Sequence, residues 1–107
     1  MKRKIEIWQT NDRNRMFVGA DMAKSIGVRI TKDKSYKKVY EGEIDADEDD
    51  NSALEKVFSQ FQGSKPNGYN GRSVSVSDMI TIDGKTYFTD DFGFKRLSKS
   101  AAAGSKG

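Results

Sequence analysis

The chain has 107 residues, a formal net charge of +3, and neither cysteine nor histidine. This length predicts a single domain. Because cysteine and histidine are absent, disulfides, zinc sites built on thiolate or imidazole, and catalytic triads built on these residues are excluded. The N-terminus lacks an apolar run of signal-peptide length, and no stretch reaches the length of a membrane span. We therefore expect a soluble, cytoplasmic protein.

The charges are distributed unevenly along the chain. Residues 1–40 contain eleven Lys/Arg and four Asp/Glu, whereas residues 41–60 contain one and eight. Residues 61–107 again carry a net positive charge. A basic segment beside an acidic one predicts a dipolar surface that steers a charged partner.

The N-terminal half predicts two strands and a short helix. Residues 2–10 alternate between apolar and polar side chains, which is typical of a strand. Residues 21–26 fit a brief helix that ends at Gly27. Residues 35–44 predict a second strand with an irregularity near Gly42.

The strongest helix signal lies in the middle of the chain, at residues 52–62. Their apolar side chains follow i, i+3, i+4, i+7 spacing and form one stripe. The stripe consists of Leu54, Val57, Phe58 and Phe61. Ser52 and Glu55 have the spacing of a capping box, so we expect the helix to begin at Ser52. Gly63 and Pro66 are predicted to end it.

The C-terminal part predicts further strands. Residues 72–79 alternate between serine and valine, and we expect a strand whose serines share one face. Asp83 and Gly84 lie between two strand-like runs and are typical of a two-residue hairpin turn. Residues 98–107 are small and polar, which predicts a flexible tail. Together these patterns predict one α+β domain over residues 1–97, a small antiparallel sheet of three to five strands packed with one long and one short helix.

Asp91-Phe92-Gly93 is the tripeptide that holds magnesium in protein kinases. The chain is far shorter than a kinase domain, and it has no Gly-rich loop, no histidine-containing catalytic loop and no strand lysine in a VAIK context. We therefore interpret the tripeptide as a bend between two core aromatic residues, Phe92 and Phe94, at which Gly93 supplies the backbone conformation.

The acidic loop of residues 45–51 has carboxylates at the first ligand positions of an EF-hand. The match then fails, because Asp50 replaces the required glycine and Lys56 replaces the required glutamate. We interpret the loop as solvated charge that favours the start of the following helix. The alternative is an acidic contact surface that includes Asp47, Asp49 and Asp50.

The basic segment is a candidate nucleic-acid interface, with Trp8 and Tyr36 as possible stacking surfaces. The chain has no helix-turn-helix, zinc-finger or RNP signature, so these side chains equally fit an ordinary solvated surface. The basic residues concerned are Lys2, Arg3, Lys4, Arg13, Arg15, Lys24, Arg29, Lys32, Lys34, Lys37 and Lys38.

Asp78, Asp90 and Asp91 are the candidates for acid/base chemistry. No histidine, cysteine or phosphate-binding loop accompanies them. We therefore expect Asp78 to cap a turn and Asp90 to accept backbone amides at the bend. No catalytic residue, metal or cofactor is expected.

A distinctive series of motifs fills the C-terminal half. It runs from the helix LEKVFSQFQ through GRSVSVSDMI at residues 71–80 and TYF at residues 86–88 to DFGF at residues 91–94. VYEGEI at residues 39–44 precedes it. These motifs resemble the YodL-like domain family, and the resemblance covers residues 5–97. Arg72 stands where histidine is common in that family, and SKPNGYN replaces a stretch that usually contains His-Pro.

The resemblance implies a setting rather than a chemistry. Family members occur as small bacterial proteins and as modules of large proteins of phages and conjugative elements. This implies a non-enzymatic phage or mobile-element protein that binds and inhibits or modulates a host component, most sharply a defence nuclease, as anti-CRISPR and antirestriction proteins do. The alternative is a nucleic-acid-binding accessory module. An exposed edge strand leaves both a monomer and a self-paired dimer open.

We expect the partner-binding face to combine the serine-rich strand with the bend, flanked by the acidic loop. An alternative reading of the serines is the solvent side of an ordinary antiparallel strand. The expected contact residues are Arg72, Ser73, Ser75, Ser77, Asp78, Asp90, Asp91 and Phe92, with Asp47, Asp49 and Asp50 beside them.

Overall fold

The structure is a computed structural model that describes residues 1–13, 16–28, 30–32, 34–62 and 68–99. Within these residues, five antiparallel strands form one sheet in the order β2-β1-β3-β4-β5, accompanied by helices of six and eleven residues. In chain order the elements are β1 (Lys2–Thr10), α1 (Ala20–Ser25), β2 (Tyr36–Asp45), α2 (Asp50–Gln60), β3 (Met79–Ile82), β4 (Lys85–Thr89) and β5 (Phe94–Arg96). The predicted α+β class is confirmed. Over the described residues, no helix is long and apolar enough to cross a membrane.

β1 lies inside the sheet, where it pairs with β2 on one side and β3 on the other. Its register with β2 shifts between Ile7 and Trp8, which leaves Val39 as the extra residue of a bulge. The irregularity predicted near Gly42 is therefore displaced to Val39.

The main core lies between α2 and one face of the sheet. The predicted apolar stripe of α2 points into it, and Leu54, Val57 and Phe61 are at most 1% exposed. The Phe61 ring packs edge-on against Tyr40 at 5.1 Å and Tyr69 at 5.6 Å between ring centroids. Aromatic pairs of this kind add to the burial of apolar area.

α2 begins earlier than predicted, because Asp49 rather than Ser52 is its N-cap. The Asp49 carboxylate accepts hydrogen bonds from the Ser52 backbone N–H at 3.2 Å and from the Ser52 hydroxyl at 3.0 Å. The prediction of a Ser52–Glu55 capping box is thus wrong, because Asp49 supplies a charged acceptor one turn earlier. The predicted helix breakers Gly63 and Pro66 lie outside the described residues.

The opposite face of the sheet carries a smaller core of Tyr36, Met79 and Phe88. α1 packs here through Ala20, and Ala23 of the same helix is buried. Because α1 has only six residues, these two small side chains account for its inward side.

The segment before β3 is not a strand. Of the predicted strand over residues 72–79, only Met79 pairs in the sheet. The Asp78 carboxylate accepts a hydrogen bond from the Ser75 backbone N–H at 2.9 Å, and Ser77 has a φ of 84°. A side chain that satisfies a nearby backbone group competes with the ladder, which is why serine–valine alternation misled the prediction.

Two tight bends have the backbone conformations that the sequence predicts for them. Asp83 and Gly84 have φ values of 49° and 85°, as a primed hairpin turn requires, and join β3 to β4. Gly93 has a φ of 78° at the bend before β5. Phe94 packs against the main core, but Phe92 is 95% exposed, so the prediction that both flanking aromatics are core residues is wrong.

Candidate functional site

Asp78 is the centre of a buried polar cluster. Its fully buried carboxylate accepts hydrogen bonds from Ser75 N and Gln9 Nε2, both at 2.9 Å, and from Arg72 Nη2 at 3.1 Å. Gln9 Oε1 in turn accepts from the Arg72 backbone N–H at 3.1 Å. The prediction that Asp78 caps a turn is confirmed. Asp78 also fastens the irregular segment to β1.

The surroundings of Asp78 shift the pKa of its carboxyl group. Burial raises the pKa of Asp78 to about 6, although the hydrogen bonds from Ser75 and Gln9 and the charge of Arg72 oppose this. Burial, followed by the charge of Asp78, raises the pKa of Tyr69 to about 12. The carboxylate is surrounded by its own donors, and these hydrogen bonds stabilise the loop.

The three serines predicted to share an open face are separated. Ser73 Oγ donates to the Gln62 carbonyl at 2.9 Å. Ser77 is fully buried, and its Oγ accepts a hydrogen bond from the Phe17 backbone N–H at 3.0 Å. Ser75 Oγ is buried, and no described residue forms a hydrogen bond with it. A serine-lined strand face is therefore not formed.

The bend is joined directly to the start of α1. Asp90 Oδ1 accepts hydrogen bonds from the backbone N–H groups of Ala20 and Asp91, both at 2.8 Å. This confirms the expected role of Asp90. A Cβ added at Gly19 would lie 2.5 Å from Asp91 Oδ2 and 2.9 Å from Asp90 Oδ1, so a larger residue there would displace these carboxylates.

Phe17 and Ser77 both have positive φ values, 64° and 84°. The hydrogen bond between Phe17 N and Ser77 Oγ links them, and the Tyr36 hydroxyl donates to the Ser77 carbonyl at 2.7 Å. Positive φ in a bulky residue is costly and persists where the surroundings hold it. Here it turns the Phe17 ring outward, where it lies 5.1 Å from the Arg72 guanidinium.

Large apolar side chains are exposed on the two joined segments. Exposure is 56% for Phe17 and Met22, 51% for Ile26 and 95% for Phe92. We call these four residues the apolar patch. Of them, sequence reasoning selected only Phe92. One feature of the sequence could have predicted the exposure of the others on the helix. The inward positions of this six-residue helix hold alanines, so its larger apolar residues face outward.

Arg3 and the acidic loop form a structural ion network. The Arg3 side chain is 4% exposed, and its Nη1 donates to the carbonyls of Asp47 at 2.7 Å and Glu48 at 3.1 Å. Its Nε donates to Asp83 Oδ2 at 2.5 Å and its Nη2 to Asp50. The placement of Arg3 in a nucleic-acid interface is therefore wrong.

Asp50 is committed to the same network. Its Oδ2 lies 2.5 Å from both Lys85 Nζ and the Tyr87 hydroxyl. Burial opposes the charge of Asp50, but hydrogen bonds from Lys85, Tyr87 and Arg3 outweigh it and lower its pKa. Burial and the bond to Asp50 raise the pKa of Tyr87 to about 12. Of the acidic contact residues, Asp47 and Asp49 remain exposed.

The expected stacking residues are also engaged. Tyr36 is buried, and Trp8 is covered by the ammonium of Lys32, 4.0 Å from the ring centroid, and by that of Lys38 at 5.9 Å. Among the described residues, no group of three or more acidic side chains is arranged to hold a metal ion. Two further predicted basic residues lie outside the described residues, namely Arg15 and Arg29.

The comparisons with known proteins bear on the whole fold. No curated protein and no solved structure matches the chain. The family model described as the YodL-like domain matches residues 4–99, a span that contains the Asp78 cluster, the bend and nearly all of the sheet. The motifs at residues 71–80 and 91–94 lie within this match and confirm the resemblance. The chain belongs to the YodL-like domain family.

Proposed function

We propose that this chain is a non-enzymatic phage or mobile-element protein that binds a host protein and inhibits or modulates it. The sharpest form is inhibition of a defence nuclease, as anti-CRISPR and antirestriction proteins do. It acts in the cytoplasm and without a cofactor. The mobile-element setting is what the resemblance to the YodL-like family implies, and the chain belongs to that family.

The observation that carries the proposal is the apolar patch. Large apolar side chains that are exposed are available to a protein partner, because water solvates them poorly. The patch residues belong to the segment around α1 and to the bend, and the Ala20–Asp90 hydrogen bond holds these two segments together. Phe92 is the strongest anchor, because a nearly fully exposed aromatic ring has the most area to bury on a partner.

The carboxylates support a contact role over a catalytic one. Asp78 is enclosed by three donors, and Asp90 Oδ1 is occupied by two backbone amides. These groups position the loop and the bend. Asp91 and Phe92 then project from a bend that is fixed before a partner binds, which reduces the entropy cost of binding.

The alternative is a nucleic-acid-binding accessory module. It would rest on the exposed lysines of the N-terminal half, such as Lys2, Lys4 and Lys37. Burial of Tyr36 and the ion pairs of Arg3 weigh against it, because stacking and phosphate contacts need open rings and free cations.

The test is protection of phage in cells that carry a defence system. The wild-type chain is expressed in bacteria with either a restriction or a CRISPR nuclease, and phage plating efficiency is compared with that of the empty vector. We expect a rise with at least one nuclease. The Phe17→Ser/Phe92→Ser double variant should lose it, whereas Glu43→Ser, an exposed change on β2, should keep it.

A pull-down separates the two functions. The tagged chain should retain the purified nuclease at about 0.5 M salt, where phosphate contacts are strongly weakened. Recovery of nucleic acid alone, lost at that salt concentration, would overturn the inhibitor proposal and favour the accessory module. A double variant that protects phage as well as the wild type would overturn the role of the apolar patch.

A further inference from the structure

A small acidic pocket lies between α2 and the bend. Its volume is about 320 Å³, and Glu55, Phe58, Thr89, Asp90, Asp91 and Phe94 contribute to its lining. Phe58 and Phe94 meet edge-on, with ring centroids 6.2 Å apart. Because Glu55 and Phe58 are three residues apart on a helix, the carboxylate lies beside this aromatic pair. The pocket therefore combines aromatic rings with negative charge.

Among the described residues, no ion pair compensates the negative charge of the pocket. Glu55 and Asp91 are exposed, and in the part of the chain that the structure describes neither has an ion-pair partner. Among the described residues, Asp90 accepts hydrogen bonds from two backbone amides. The described residues of the lining include no lysine or arginine, although the chain as a whole is positively charged. A cationic group is therefore attracted to this place.

Thr89 provides an independent sign of a missing partner. It is 2% exposed, and its Oγ1 has no hydrogen-bond partner within the described part of the chain. By strand alternation its side chain lies on the same sheet face as Tyr87, which packs against the main core next to α2. Buried hydroxyls are nearly always hydrogen-bonded, so an orphan that lines a pocket points to a ligand that brings a donor.

The pocket fits an organic cation better than a metal ion. Aromatic rings attract cations and cover methylene groups, which a hydrated metal does not exploit. A guanidinium has five donors in a planar fork, enough to reach two carboxylates and a hydroxyl together. An ammonium is a point charge that stacks less well on phenylalanine.

We propose that this pocket binds an arginine side chain presented by a partner protein. The inference deepens the proposed function and rests on it for the statement that the partner is a protein. Proteins that process nucleic acids carry arginines on the surfaces that contact phosphates. If Glu55 and Asp91 bind one such arginine, that arginine can no longer contact a phosphate.

The experiment uses the full chain, labelled with ¹⁵N, and the peptide acetyl-Gly-Arg-Gly-amide. Amide chemical shifts are followed as the peptide is added. We expect saturable changes centred on residues 55–58 and 89–94, with a dissociation constant on the order of millimolar, as the size of one side chain allows. The matched peptide with citrulline, which has the same shape without the charge, should bind at least about tenfold more weakly.

Variants of the pocket make the assignment specific. Asp91→Asn and Thr89→Val should each weaken binding of the arginine peptide severalfold, and Glu43→Gln, on β2, should leave it unchanged. Thr89→Val keeps the shape of the side chain, and removal of an unpaired hydroxyl does not destabilise the fold, so loss of binding is not loss of folding. A thermal melt of each variant checks this.

Three results would overturn the inference: no saturable change with the arginine peptide, equal binding of the citrulline peptide, or changes that Thr89→Val and Asp91→Asn do not reduce. Equal binding of a lysine peptide would overturn the preference for guanidinium. The peptide titration does not depend on any nuclease. Its failure therefore leaves the phage-protection result standing, and failure of protection leaves the titration standing.

Discussion

The buried carboxylate of Asp78 makes a testable prediction about stability and pH. The perturbation is Asp78→Asn, which keeps the size of the side chain and removes its titration. In the folded chain burial raises the pKa of Asp78 from its ordinary 3.8 to about 6. Between these values the folded protein holds a proton that the unfolded chain has released. The stability contributed by Asp78 is therefore full at low pH and falls as pH rises through this window.

The magnitude follows from the two pKa values. A difference of about two pKa units corresponds to roughly 3 kcal/mol, since each unit is worth about 1.4 kcal/mol. Most of it appears between pH 4 and pH 7. Because Asp78 is fully buried, solvent does not screen this effect. The free energy of unfolding of Asp78→Asn, relative to the wild type, should therefore rise by about 2–3 kcal/mol from pH 4 to pH 7.

Urea denaturation of both proteins at half-unit pH intervals measures this difference. Any fixed cost of the asparagine cancels, because only the change with pH is compared. Asp83→Asn is the matched control. Its hydrogen bond from Arg3 lowers the pKa of Asp83, so the stability it contributes is lost as pH falls rather than as pH rises.

A relative stability of Asp78→Asn that stays flat within about 0.5 kcal/mol, the usual error of such comparisons, would refute the reasoning about burial. A relative stability that falls as pH rises would show that the Arg72 ion pair outweighs burial instead.

Three further substitutions test the packing, all by urea denaturation at pH 7. Arg3→Met should cost about 1.5–3 kcal/mol because it removes the hydrogen bonds of a buried guanidinium to Asp50 and Asp83, whereas the exposed Lys4→Met should change stability by less than about 0.5 kcal/mol. Phe61→Ala should cost about 3–5 kcal/mol through the cavity it leaves under α2. Gly93→Ala should cost about 1–2 kcal/mol from backbone conformation alone, since the added Cβ touches nothing. A cost near zero for Arg3→Met, Phe61→Ala or Gly93→Ala would contradict the contact or the backbone conformation on which that prediction rests.

Local patterns were enough where neighbours in sequence decide the structure. The alternation of residues 2–10, the apolar stripe of α2 and the Asp83–Gly84 turn each depend on contacts within one element or between adjacent ones. The helix start was misplaced because two acceptors, Asp49 and Ser52, compete over one turn. Propensity alone ranks these two residues closely.

The candidate site depended on distant contacts, so its details were not predictable. Gln9 reaches Asp78 across 69 residues, which turned a predicted strand into a fixed loop. Arg3 forms ion pairs with Asp50 and Asp83, so it does not lie on the basic surface that the sequence predicted. Periodicity contains no information about such pairings.

The sequence by itself determined the α+β class, the main helix, the hairpin and the family, because these follow from short-range spacing and from motifs that survive in order along the chain. Only the tertiary structure decided which polar groups are consumed inside the fold and which side chains remain for a partner. The bend carries Phe92 into solvent, and Thr89 is buried with no hydrogen-bond partner for its hydroxyl among the described residues. Burial is a property of the assembled layers, and no single segment encodes it.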